Sequence, residues 1–371
     1  MLSTKDKIIN ASINLFYDIP YADVSLLEIS KTANISNGII YKYFKNKEDL
    51  FKFLLEMISN KIENKLKYIS SNTLKDGLNI YIEKNLEITR EEYKLIKIFR
   101  EGQYRFIEFE HRIKKAYLKS LESIFQRKLN KYEIMYILGA IRYINISFSS
   151  RNLKLDIKFL VNILLNGFSK EKIFPIENIF EMELYQRKRL NTNNKKYQLL
   201  KKGELLFGMR EYHDVKIKDL AKAMDISVGS FYSFFPTKDI FLNEIIDHLK
   251  KEILFLVKDN YNKDLQTNEL HTMYLFLFLE YYKESSFKYK LLRDIEFLHF
   301  DIYIDFLNNI ESFYISTLHK NINNFDEKRI ISNLLLGIQH YMIIEIFFTK
   351  EIKDTNLLLK EISKLFTFGI K

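Results

Sequence analysis

Residues 24–51 (VSLLEISKTANISNGIIYKYFKNKEDLF) are written again, with changes, as residues 215–242 (VKIKDLAKAMDISVGSFYSFFPTKDIFL), at a constant offset of 191 and with no gap. Identities include Val24/Val215, Ile35/Ile226, Ser36/Ser227, Gly38/Gly229, Tyr41/Tyr232, Phe44/Phe235 and Lys47/Lys238. Upstream, Leu15-Phe16 matches Leu206-Phe207 and Tyr21 matches Tyr212. Downstream the likeness is looser: Arg100-Glu101 with Arg293-Asp294, and Gly139 and Tyr143 with Gly337 and Tyr341. A repeat this long means two copies of a whole domain set, since solenoid repeats run to roughly 20–50 residues. The chain of 371 residues is long enough for both copies.

The punctuation between hydrophobic segments points to helices. Only 10 Gly and 3 Pro occur, too few turn residues for sandwiches, barrels or doubly wound sheets. Helical patterns run over about 47–68, 74–89, 91–105, 108–129, 131–148 and 155–168, and again over about 238–258, 268–283, 286–298, 301–320, 327–348 and 356–368. The stretches 134–148 and 330–348 are apolar on nearly every face, so each is expected to be buried on two sides. Cys is absent, which excludes disulfides, thiolate metal sites and Cys nucleophiles. The longest uninterrupted apolar run, Met273 to Leu279, is far short of the roughly 20 residues a membrane span needs. The polar N-terminal stretch does not read as a signal peptide, so a cytoplasmic protein with no membrane partner is expected.

The net charge of +10 invites a nucleic-acid reading, but its position weakens it. Residues 1–190 hold 33 basic and 23 acidic side chains, and residues 191–371 hold 25 of each. Within 1–50 the count is six of each, so the excess lies beyond the first repeated segment. The local grammar says more. Ser25 and Glu28 form a capping box ahead of a short helix carrying Leu26, Ile29 and Ala33. Asn34 suits a left-handed turn. Ser36 is placed to cap a third helix running through Phe44, and Asn46 a fourth starting at Lys47. Two short helices joined by such a turn are a helix-turn-helix, whose second helix enters the DNA major groove. On it Gly38 allows close approach, Tyr41 and Tyr43 offer phenolic donors, and Lys42 and Lys47 suit phosphates.

The pattern Ile-Ser-x-Gly-x-x-Tyr-x-x-Phe-x-x-Lys, at 35–47 and 226–238, resembles the TetR family of bacterial transcription regulators. The resemblance covers about 50 residues at the start of each half. It implies an all-α fold of two tandem modules, each a three-helix DNA-binding domain followed by a helical ligand-binding and dimerisation domain. The expected boundaries are 1–47 and 48–170 for the first module, 171–194 for a linker, and 195–238 and 239–371 for the second. Double-stranded DNA and a small-molecule effector of unknown identity are the implied partners. Pairing is expected within the chain, as a pseudo-dimer, or between two chains.

The family's contact pattern nominates Ser25, Ser36, Asn37, Gly38, Ile39, Tyr41, Lys42, Tyr43 and Lys47 for DNA. In the second half it nominates Lys216, Ser227, Val228, Gly229, Ser230, Tyr232, Ser233, Phe234 and Lys238. The sequence departs from the family where the first helix commonly ends on Gly. Pro20 and Glu211 stand there, so the first turn is built differently in each half. The second segment keeps one Lys, with Lys195, Lys196, Lys201 and Lys202 upstream as candidate compensation. The cluster Gln186 to Arg189 in the seam is a further candidate for phosphate contact. Candidate effector-pocket residues are Arg100, Tyr104, Arg142, Arg293, His299 and His340, of which Arg142 and His340 fall in corresponding places. The seven His are scattered, with no pair at i,i+4, and no catalytic constellation, metal site or cofactor motif is found. The leading expectation is a ligand-responsive regulator, a repressor acting as a fused pseudo-dimer. The alternative is a helical sensor or interaction protein in which one or both heads have lost DNA binding.

Overall fold

The computed structural model describes residues 2–169, 177–180, 194–210, 212–262, 265–283, 285–317, 322 and 324–370, with the side chains of 177 and 178 left aside. Among these residues every regular element is helical. Two compact units emerge, 1–162 and 163–371. Most of the expected 171–194 linker, including Gln186 to Arg189, lies outside the described residues.

The first unit runs α1 (Thr4–Asp18), α2 (Leu26–Thr32), α3 (Asn37–Ile40), α4 (Lys47–Leu66), α5 (Leu74–Glu91), α6 (Tyr93–Gly102), α7 (Ile107–Phe125) and α8 (Lys131–Ser150). The unit boundary falls inside α9 (Ile157–Asn166). α4 is the axis of the unit. Leu50, Phe51, Leu54, Leu55, Ile58 and Ile62 recur every three or four residues and are buried where α4 packs on α5, α6 and α7. Arg112 of α7 staples this contact, bonding Glu63 at 2.6 and 2.8 Å, Glu56 at 2.6 Å and Asn60 at 2.7 Å. α8 packs on α5 and is buried on several faces, from Met135 through Phe148, as its apolar sequence predicts.

The second unit holds a single turn, α10 (Glu177–Phe180), then α11 (Lys195–Met209), a 3₁₀ turn (Tyr212–Asp214), α12 (Ile217–Ala223), α13 (Val228–Phe234), α14 (Lys238–Asp259), α15 (Thr267–Lys283), α16 (Ser286–Leu298), α17 (Phe300–Thr317), α18 (Phe325–Ile343) and α19 (Thr355–Phe368). α11, α12, α13 and α14 begin 191 residues after α1, α2, α3 and α4. α18 runs on into a π-helical turn over Ile344–Phe348. The stretch Phe325–Phe348 is long and apolar enough to cross a membrane, but most of it is buried inside the unit.

The ends of α9 and α19 meet within this second unit. Phe168 N donates to Phe366 O at 2.8 Å, and Ile370 N donates to Leu164 O at 2.9 Å. The exchange is reciprocal: shifting either bond by 202 residues reproduces the other. Gly167 and Gly369, also 202 apart, both have positive φ (73° and 66°). A Cβ on Gly369 would stand 2.2 Å from Leu165 C, and one on Gly167 2.5 Å from Phe366 O. Only glycine fits both the backbone angle and the approach.

Candidate nucleic-acid interface

Each head is built from capping chemistry. Ser25 accepts from Glu28 N at 3.2 Å while Ser25 N donates to the Glu28 carboxylate at 2.8 Å. The Ser25 bonds hold the Glu28 carboxyl below its ordinary range. In the second head Lys216 replaces Ser25 and only one half of the box survives, Lys216 N donating to Asp219 at 3.0 Å. The turn after α2 places Asn34 at φ 54°, and the matching turn after α12 places Asp225 at φ 53°. Ile35 N then bonds Ser30 O, and Ile226 N bonds Ala221 O, both at 3.0 Å.

The third helices differ. α13 runs from Val228 to Phe234, with Ser227 accepting from Ser230 N at 3.0 Å. In the first head the helix expected through Phe44 stops at Ile40, and Ser36 makes no side-chain cap. The Asn37 side chain is instead drawn back to Ser30 Oγ at 3.1 Å. Tighter i−3 bonds, Lys42 N to Ile39 O and Tyr43 N to Ile40 O, keep the chain coiled as far as Phe44. Adjacent β-branched Ile39 and Ile40 weaken regular helix there.

What the two segments present is alike. Phe44, Phe235 and Phe231 are buried, while Tyr41 (54% exposed), Tyr43 (42%) and Tyr232 (48%) face outward. Ser25, Ser36, Asn37, Gly38, Lys42, Lys216, Ser227, Val228, Gly229 and Ser233 are also exposed. Ile39, Ser230 and Phe234 are half-buried. A Cβ on Gly38 would meet nothing within 4 Å, and one on Gly229 only Ser227 Oγ at 3.8 Å. Neither has positive φ. The fold of the chain therefore does not demand glycine at either place.

Lys47 and Lys238 are already engaged. Lys47 Nζ donates to Tyr21 O at 2.7 Å and Ala22 O at 3.1 Å, and stands 4.5 Å over the Tyr21 ring. Lys238 Nζ donates to Tyr212 O at 2.5 Å and stands 3.8 Å over its ring. Burial, reinforced by the Arg105 guanidinium, holds Lys47 below the ordinary lysine value. The same clamp closes a differently built first turn in each head. α1 ends with extended Ile19 before Pro20, whereas α11 ends with extended Arg210 before the 3₁₀ turn. Glu101 of α6 then seats the first turn, accepting from Tyr21 N at 2.7 Å. The role of Glu101 and Arg105 is not legible in sequence because Tyr21, which both meet, lies 80 and 84 residues away. Of the upstream lysines, Lys196 pairs with Glu244 at 2.6 Å, Lys201 with Glu204 at 2.8 Å, and Lys202 donates to Ala223 O at 2.9 Å. Lys195 is exposed.

Four of the six effector candidates have protein partners in hand. Arg142 pairs with Glu110 at 2.6 Å, and Arg293 with Asp294 at 3.0 Å. His299 lies 3.3 Å from Asp239, and His340 meets the Tyr289 hydroxyl. Arg100 and Tyr104 are half-buried. A cleft of about 660 Å³ between α4 and α7 involves none of them; Leu66, Tyr68, Lys67, Arg112, Lys115 and Lys119 are among its lining. A smaller cleft of about 360 Å³ in the second unit is acidic, with Glu244, Asp247, Asp301 and Asp305.

Residues 8–54 and 199–245 both match the family described as "Bacterial regulatory proteins, tetR family". Among curated relatives, the Fatty acid metabolism regulator protein of Bacillus subtilis (strain 168) is 27% identical over 136 residues, covering 34% of this chain and 69% of its own length. The biofilm operon icaADBC HTH-type negative transcriptional regulator IcaR of Staphylococcus epidermidis is 33% identical over 96 residues, 26% of this chain and 51% of its own. The HTH-type transcriptional regulator AcrR of Shigella flexneri is 36% identical over 66 residues, 18% of this chain and 31% of its own. Among solved structures, a transcriptional regulator of the TerR/AcrR family from Aquifex aeolicus VF5 aligns at 24% identity and TM-score 0.37, covering 46% of this chain and 96% of its own.

Proposed function

We propose that this TetR-family chain, with two family modules in tandem, is a ligand-responsive transcription regulator, a repressor in which one chain does the work of two. The heads, 1–47 and 195–238, carry the DNA-reading residues nominated from the sequence, apart from Lys47 and Lys238, which hold the first turn of each head. The support is the pair of glycines on exposed recognition segments. A residue that the fold does not need, on a segment with an exposed tyrosine, suits close approach by an outside surface such as a phosphate or base edge.

The observation that carries the single-chain reading is the reciprocal bond exchange between the ends of α9 and α19. Those are the last helices of the two sequence repeats, and a contact in which i meets j and j meets i is what a two-fold axis generates. Because Asn37, Ile39 and Lys42 on one head face Val228, Ser230 and Ser233 on the other, the operator should lack palindromic symmetry. We place the effector in the cleft between α4 and α7, whose lysines suit an anionic molecule with an apolar body. A relative named for fatty acid metabolism makes a fatty-acid derivative the first ligand to try.

The test is selection of DNA fragments by the pure protein, followed by mass measurement of the complex. One chain on an asymmetric site is expected, and swapping segments 36–43 and 227–234 should invert the preferred site. A two-chain particle on a palindrome would end the pseudo-dimer. No saturable, salt-sensitive DNA binding would favour the sensor or interaction protein instead.

A further inference from the structure

The duplication supplies its own control. At the positions where the first module has Ile13, Met57 and Lys61, the second has Glu204, His248 and Glu252. α11 and α14 keep the register of α1 and α4, so these are equivalent places. Glu204 is 2% exposed and His248 8%. His248 and Glu252 lie one turn apart on one face of α14, and Glu204 faces them from α11.

We propose that Glu204, His248 and Glu252 form a site for a divalent transition-metal ion of the zinc class. One ligand atom from each lies within 4.8 Å of the others. An imidazole nitrogen and two carboxylate oxygens from two helices are a donor set such ions accept, with solvent in the remaining position. Two ammonium groups now neutralise the carboxylates. Lys201 stands 2.8 Å from Glu204 and 3.4 Å from Glu252; Lys288 of α16 stands 3.3 Å from Glu252 and 3.7 Å from Glu204. Tyr281 of α15 donates to Glu252 at 2.7 Å.

This arrangement leaves His248 unserved. Neither ring nitrogen has a hydrogen-bond partner, although Nδ1 points at Glu252 Oε1 from 3.7 Å and the ring packs on Tyr197. A buried polar group without a partner is disfavoured. A metal ion takes the imidazole lone pair and both carboxylates at once. Lys201 is the cation that yields: its side chain is 31% exposed, against 12% for Lys288, and can reach water. An anionic solvent ligand on the ion would restore charge balance. Loading the site would tie the first helix of the second head to α14.

The test uses the full chain, stripped of metal and titrated with Co²⁺. Wild type should bind one Co²⁺ with visible absorption bands that Zn²⁺ abolishes. H248M, which installs the residue of the first module, should lose the bands and at least about tenfold in affinity. E252Q should do the same, and decides the matter if H248M does not fold. K201A should bind more tightly, because the competing ammonium is gone. Absence of Co²⁺ bands in wild type, bands that survive in H248M or E252Q, or weaker binding by K201A would each overturn the site.

Discussion

Gly38 and the paired lysines separate what serves the fold from what serves a partner. Gly38 sits in α3 with open space where a Cβ would go. Alanine there removes backbone entropy from the unfolded chain, so G38A should raise stability by about 0.5 kcal/mol in thermal melts. The same methyl should weaken operator binding at least tenfold if DNA approaches that backbone. Lys42 and Lys47, both nominated for phosphates, should part company. Lys42 is exposed, and K42A should flatten the log–log salt dependence of DNA binding by about 0.9. Lys47 holds two carbonyls of the first turn. K47A should therefore cost about 1–2 kcal/mol in denaturant titrations, with little change in salt slope. The reverse pattern would return Lys47 to the DNA contacts.

At the scale of single elements, the two recognition helices differ in their N-caps and in their length. Ser227 accepts from Ser230 N and α13 completes two turns, whereas Ser36 makes no such bond and α3 ends after one. S227A should cost about 1 kcal/mol, and S36A no more than a few tenths. Equal losses in urea melts would mean that Ser36 caps its helix in solution. Helix starts were legible from sequence because caps act within three residues. The end of α3 was not, because it depends on whether Asn37 turns back to Ser30, a choice that local pattern does not encode.

Across the whole molecule, the exchange between α9 and α19 is the feature most open to a single substitution. Gly369 has φ 66° and a Cβ there would stand 2.2 Å from Leu165 C. G369A should destabilise the second unit by about 2 kcal/mol or more through backbone strain and the clash. It should also weaken binding to a two-head site far more than binding to a half-site, as measured with both fragments. Equal loss on the two fragments would show that the last helices do not set the spacing of the heads.

The sequence by itself determined the helical class, the doubling, the starts of the second, third and fourth helices of the first head, and the exposed tyrosines of the recognition segments. These follow from periodicity, caps and an ungapped repeat, all of which act over a few residues or compare one copy with the other. The tertiary structure decided the rest. It set Lys47 and Lys238 on their tyrosines, gave Lys196, Lys201 and Lys202 acceptors within the protein, and paired Arg142 with Glu110. It also gathered Glu204, His248 and Glu252. The i,i+4 spacing of His248 and Glu252 was visible in the sequence, but Glu204 joins them from 44 residues away. A charged side chain takes whichever partner the packing of distant helices brings within about 3 Å, and no local pattern specifies that distance.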